Sequence, residues 1–126
     1  MRIGDIVNNR PLVKITIADN LKVQEMLAMV DTGFTGELKT TKEVGLDFGL
    51  EITHGEKVRL GDNRVVNMEA GVTIVEMEGI RKVVNVLFSK GMSVVGIEFL
   101  KKFKYNLYLY SAEDRFELQR LNGRQM

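Results

Sequence analysis

Polar and apolar residues alternate along most of this chain, and the alternation predicts strands. In LVKITIADN (12–20), Val13, Ile15 and Ile17 fall on one face and Lys14 and Thr16 on the other. LKVQEMLAMV (21–30) reads as the return strand, becoming apolar towards its end. EKVRL (56–60) and RVVNMEAGVTIVEM (64–77) read as strands around a turn at Gly61-Asp62-Asn63. RKVVNVLF (81–88) follows a second turn at Glu78-Gly79. NLYLYS (106–111) and RFELQRL (115–121) close the chain as strands. Two segments leave the period of two. TTKEVGLDF (40–48) suits a short helix, with Thr40 or Thr41 as N-cap and Glu43 in the first turn. IEFLKKFKY (97–105) places Ile97, Leu100 and Phe103 or Lys104 at helical spacing. The predicted class is all-β, mostly strand with one or two short helices.

The pattern also repeats. Residues 13–33 run strand, turn, strand, then an apolar run into a glycine loop, and residues 72–96 do the same. The first copy ends VDTG and leads into FTGELKTTKEV. The second ends SVVG and leads into IEFLKKF. The halves match in pattern rather than identity, and only the first carries an aspartate before its glycine.

Composition narrows the functional classes. The chain has 126 residues, 44% hydrophobic and 28% charged, with one proline and no low-complexity tract, which fits one globular domain over residues 1–126. A chain of this length buries roughly two-thirds of its unfolded surface, so no disulfide staple is needed. The absence of cysteine excludes thiol chemistry and thiolate metal sites, and one histidine excludes a multi-histidine site within one chain. A net charge of +1, from 18 basic and 17 acidic residues spread throughout, gives no sign of a nucleic-acid or membrane partner. MRIGDIVNNRPLV lacks the apolar core of a signal peptide, and no apolar run reaches the length of a membrane span. The expectation is a cytoplasmic protein with neither metal nor cofactor.

One stretch stands out chemically. In MVDTGFTGEL (29–38) an apolar run ends abruptly on Asp31-Thr32-Gly33. A carboxylate beside apolar residues is costly unless it is hydrogen-bonded, paired or used. The plain reading is a strand-ending turn, with Asp31 bonding nearby amides and Gly33 supplying backbone freedom.

The wider context gives the stretch a second reading. With MVDTG as catalytic loop, VRLGDNRVV as flap hairpin and SVVGIEFL as the segment and helix behind the loop, the chain resembles a retropepsin-like aspartic protease. The form it resembles is the small, single-domain, non-viral one, over roughly residues 10 to 110. The resemblance implies a closed β-barrel of the acid-protease fold, paired as a homodimer with the active site on the two-fold axis. Asp31, Thr32 and Gly33 would then be catalytic, with Thr32 reaching across the axis to hydrogen-bond the partner's loop. Gly33 would permit close approach and Gly96 would let VVG pack beneath the loop. Gly61, Asp62 and Asn63 would form the flap tip over a peptide or unfolded-protein substrate, although an ordinary exposed hairpin explains them equally.

The chemistry agrees. Peptide hydrolysis without a metal or a covalent nucleophile needs one group to deprotonate water and another to protonate the carbonyl oxygen. Two carboxylates about 3 Å apart do both, because like charges so close share one proton and their apparent pKa values separate by about three units. Those values belong to the pair. This chain has one candidate loop, so the second carboxylate must come from another copy, Asp31 facing Asp31.

Departures from the family pattern bear on substrate. Phe34 stands where a small or hydroxyl residue is common, and it either lines a pocket or obstructs one; Thr35 supplies the hydroxyl instead. The flap carries a single glycine, and Thr40 and Thr41 are unusually polar. Elsewhere, His54 in ITHGEK reads as solvated, and Lys101, Lys102 and Lys104 as an exposed helical face. Glu76, Glu78 and Glu98 fall in different elements and do not read as a metal site, and the seven methionines read as core filler. Three functions remain open: a homodimeric aspartic endopeptidase, an inactive or weak relative serving as a dimeric peptide-binding or scaffold module, and an unrelated β-domain in which Asp-Thr-Gly is only a turn.

Overall fold

The computed structural model describes residues 2–19 and 22–121. Its described residues form β1 (Arg2–Val7), β2 (Arg10–Asp19), β3 (Lys22–Val30), β4 (Leu38–Thr40), α1 (Lys42–Asp47), β5 (His54–Arg59), β6 (Val65–Met77), β7 (Ile80–Phe88), β8 (Val94–Val95), α2 (Ile97–Lys102), β9 (Tyr105–Tyr110) and β10 (Arg115–Arg120). The mostly-β expectation holds, with two short helices. Asn20, in the predicted turn, and Leu21, predicted to open the return strand, lie outside the described residues.

Each long strand follows its alternation. Val13, Ile15 and Ile17 of β2, Met26, Ala28 and Val30 of β3, and Val84, Val86 and Phe88 of β7 all point into one core. The two-residue turns are set by backbone chirality. Asn8 and Asn9 (φ 50° and 62°) and Glu78 and Gly79 (φ 51° and 83°) each place both central residues at positive φ, the combination that matches strand twist in a tight hairpin. The first of these creates β1, a strand that the alternation did not announce. At α1, Thr41 is the N-cap, its hydroxyl accepting from the Val44 amide at 3.1 Å. Thr40 is buried instead, with its hydroxyl 2.8 Å from that of Ser93, so both threonines have structural employment. α2 ends at Lys102, earlier than the spacing predicts, because Lys104 turns to φ 59°.

The sequence repeat becomes an exchange of strands. β2–β3 and β6–β7 are antiparallel hairpins. The short strand that ends each half leaves its own hairpin and joins the other. β8 lies parallel to β3, with Met29 opposite Val94 and Val30 opposite Val95. β4 lies parallel to β7, with Leu38, Lys39 and Thr40 opposite Val86, Leu87 and Phe88. β4 and β8 meet antiparallel between the hairpins. The pairings run β6–β7–β4–β8–β3–β2 and return from β2 to β6 through Thr16–Glu76 and Ile17–Val75. α2 packs Phe99, Leu100 and the following Phe103 against this core, the Phe99 and Phe103 rings 4.8 Å apart. No helix among the described residues is long and apolar enough to cross a membrane.

One buried group is out of place in this core. Thr73 of β6 is 3% exposed and its hydroxyl has no hydrogen-bond partner among the described residues. A buried hydroxyl without a partner keeps its desolvation cost, so Thr73→Val, which preserves shape, is expected to stabilise the fold by about 1 kcal/mol. A raised urea midpoint at unchanged m-value checks this; a lowered midpoint would mean that the hydroxyl is bonded in solution.

Candidate active site

Asp31 is the first residue past the end of β3. Its amide donates to the Val95 carbonyl at 2.9 Å, the last rung between β3 and β8. The chain then turns sharply, the Phe34 amide donating to the Asp31 carbonyl at 3.1 Å. Within that turn the Gly33 amide donates to Asp31 Oδ1 at 2.9 Å. The carboxylate is half-buried, while Thr32 and Gly33 are exposed beside it.

The next four residues fasten this loop to α2. The Ile97 amide donates to the Phe34 carbonyl at 2.9 Å, the Gly96 amide to the Glu37 carbonyl at 3.0 Å, and the Glu98 amide to the carbonyls of Gly36 and Thr35 at 3.2 and 3.3 Å. The first amides of a helix have no partner within it, and here the loop carbonyls supply them. Gly96, the N-cap, has no side chain to do so, and none would fit. A Cβ at this position would overlap the Phe34 carbonyl oxygen and come within 2.5 Å of that of Gly36.

A second tie was not visible in the sequence. Glu37, its side chain 13% exposed, accepts from the Asn85 amide at 2.8 Å and from Lys102 Nζ at 2.9 Å, and Lys102 also donates to the Val83 carbonyl. Lys102 is therefore not part of an exposed lysine face; only Lys101 and Lys104 are exposed. His54 likewise has partners, Thr53 at 2.8 Å and Glu56 at 3.1 Å. Glu76 pairs with Arg81, Glu98 with Lys101, and Glu78 accepts from the Tyr105 hydroxyl. No group of three acidic or histidine side chains among the described residues is arranged to hold a metal ion.

Asp31 opens into a cleft of about 520 Å³. Gly33, Phe34 and Thr35 line it beside the carboxylate. Lys39 of β4 and Leu87 of β7 line it from the sheet. Val58, Arg59, Leu60, Gly61 and Met68 line it from the β5–β6 hairpin. Phe34 folds back over Gly36 and Gly96, leaving its ring at the cleft surface under Lys39 Nζ, 5.1 Å from the centroid. Of the residues singled out in the sequence, Asp31, Gly33, Phe34, Thr35 and Gly61 share this cleft, and Thr32 sits outside it. Asp62 and Asn63 build the hairpin tip instead of lining the cleft. Asp62 binds the Arg64 amide and guanidinium, the latter at 2.6 Å, and Asn63 takes φ 68°. A hollow of about 780 Å³ at the start of α1, between Thr41 and Gly91, holds Lys42 and Lys90, but Lys42 is committed to Glu69.

Two hairpins that exchange their short strands, with a carboxylate loop at the end of β3 and a helix behind it, make up a retropepsin-like fold. The chain is similar to the crystal structure of a retropepsin-like aspartic protease from Rickettsia conorii, with 20% sequence identity and a TM-score of 0.64, over 94% of this chain and 89% of that one. No protein-family model and no curated protein matches the sequence.

Proposed function

We propose that this chain is an aspartic endopeptidase that hydrolyses peptide bonds as a homodimer. The observation that carries the reading is the position of Asp31, at the end of β3 in a retropepsin-like fold, opening into a cleft shared with the β5–β6 hairpin. The equivalent place in the second half holds Val94, Val95 and Gly96, so one chain supplies one carboxylate. The exposure of Thr32 and Gly33 supports a partner loop there, since a second copy brought against them would cover both and set Asp31 beside its counterpart.

In that arrangement the pair holds one proton. The ionised carboxylate takes a proton from water as the hydroxide equivalent adds to the carbonyl carbon. The protonated carboxyl gives its proton to the carbonyl oxygen. Collapse of the tetrahedral intermediate breaks the C–N bond, and the departing nitrogen takes a proton back from the pair. Thr32 would lock the two loops across the axis, and the Gly33 amide holds one oxygen of the Asp31 carboxylate in place. The β5–β6 hairpin, with Gly61 at its end and Asp62 and Asn63 shaping its tip, would close over an extended peptide and exclude water.

Hydrolysis of an unfolded protein, inhibited by a statine-type peptide, tests the reading directly. Peptide binding without turnover would instead make the chain a dimeric peptide-binding or scaffold module. The pH profile tests the mechanism. Below the lower apparent pKa both carboxyls are protonated and no base remains. Above the upper one both are ionised and no acid remains. Turnover is therefore expected to be bell-shaped, with acidic pH favoured. A rate still climbing at about pH 9 would require different chemistry.

A further inference from the structure

The cleft beside Asp31 is lined by both apolar side chains and cations. Phe34, Val58, Leu60, Met68 and Leu87 supply the apolar surface. Apart from Asp31, the charged residues that line it among the described residues are Lys39 and Arg59. Neither has an ion-pair partner among the described residues. Lys39, the half-buried middle residue of β4, directs its ammonium over the Phe34 ring. The Arg59 guanidinium donates to the Asn63 carbonyl at 3.3 Å. The nearby carboxylates are already engaged: Glu37 with Lys102, Glu56 with His54 and Asp62 with Arg64. Lys39 and Arg59 thus line the cleft with Asp31 as the one carboxylate that shares it with them among the described residues.

We infer that Lys39 and Arg59 select substrates with an acidic side chain beside the scissile bond, glutamate or aspartate, its methylene stem lying on Phe34 and Leu87 and its carboxylate between the two cations. The inference rests on the reading of the cleft as a peptide site. Charge-assisted hydrogen bonds to lysine and arginine are the stronger kind, and a cation held on an aromatic face is already ordered for the contact. The two-fold would repeat the cleft, so the preference appears at two positions related by symmetry about the cleaved bond.

The test uses positional peptide libraries in which each position in turn is glutamate or glutamine within an otherwise uncharged random sequence. Glutamate is expected to raise kcat/KM about fivefold over glutamine at one position on each side of the bond, the factor applying twice when both carry it. The advantage should shrink at high salt, which screens a partly exposed pair. In Lys39→Met the glutamate-to-glutamine ratio is expected to fall, approaching one when Arg59→Met is added, and in Lys39→Glu the preference should shift towards lysine in a matching lysine library. A defect in packing alone would change rates without changing the ratio. Cleavage with no charge preference overturns this inference and leaves the protease reading standing. If nothing is cleaved, fluorescence anisotropy with the same labelled peptides decides: tighter binding of the glutamate peptides upholds the inference while the protease reading falls, and equal binding overturns it.

Discussion

Asp31→Asn is expected to abolish peptide hydrolysis, lowering kcat by about 10³-fold or more, while leaving fold and association intact. The amide retains the size of the carboxyl and its oxygen still accepts from the Gly33 amide, now at 2.9 Å to Oδ1, but it cannot ionise. The stronger form of the experiment mixes mutant with wild-type chains and lets subunits exchange. A mixed dimer has one carboxylate, which serves as acid or base and not as both. Activity should then fall as the square of the wild-type fraction, to about a quarter in an equal mixture, provided that the mutation leaves association unchanged. A linear fall to half would mean that each chain works alone, and Asp31 would need a partner within its own chain.

Gly96→Ala is expected to have the second largest effect. The added methyl overlaps the Phe34 carbonyl and crowds that of Gly36, both of which belong to the loop that follows Asp31. Those are backbone atoms hydrogen-bonded to the amides of Ile97 and Glu98, so they cannot yield as the end of a flexible side chain would. Overpacking of this kind costs about 2–3 kcal/mol, which lowers Tm by roughly 10 °C. Any chain that still folds must do so with the loop displaced, and a shift of about 1 Å at a catalytic group costs about 10²-fold in rate. Gly61→Ala is the control for stability, because a Cβ there meets nothing within 4 Å. A Gly96→Ala protein with wild-type Tm and activity would show that the loop and α2 do not touch as described.

The contrast between these two glycines marks what sequence reasoning reaches. Both stand in polar or apolar turns of similar appearance, yet one is required by a contact across the fold and the other is not. The same division runs through the strands. β2, β3, β6 and β7 are long enough for alternation to declare itself, and each lies where the sequence predicts a strand. β4 and β8 have three and two residues, too few to show any period, and they exist because partners on both sides complete their hydrogen bonds. β1 depended on a left-handed Asn8-Asn9 turn that side-chain alternation does not encode.

By itself the sequence determined the strand-rich class, the repeated pattern of its halves and the Asp-Thr-Gly loop at the end of an apolar run. These are local properties: alternation decides which face of a strand is buried, and turn residues decide where a strand stops. Only the tertiary structure decided that the last short strand of each half pairs with the other half's hairpin. It alone joined Glu37 to Lys102, 65 positions away, and brought Lys39 and Arg59 into one cleft with Asp31. Those outcomes depend on which backbone groups and charges find partners once distant segments pack, and a partner's identity is a property of the folded chain that neighbouring residues do not carry.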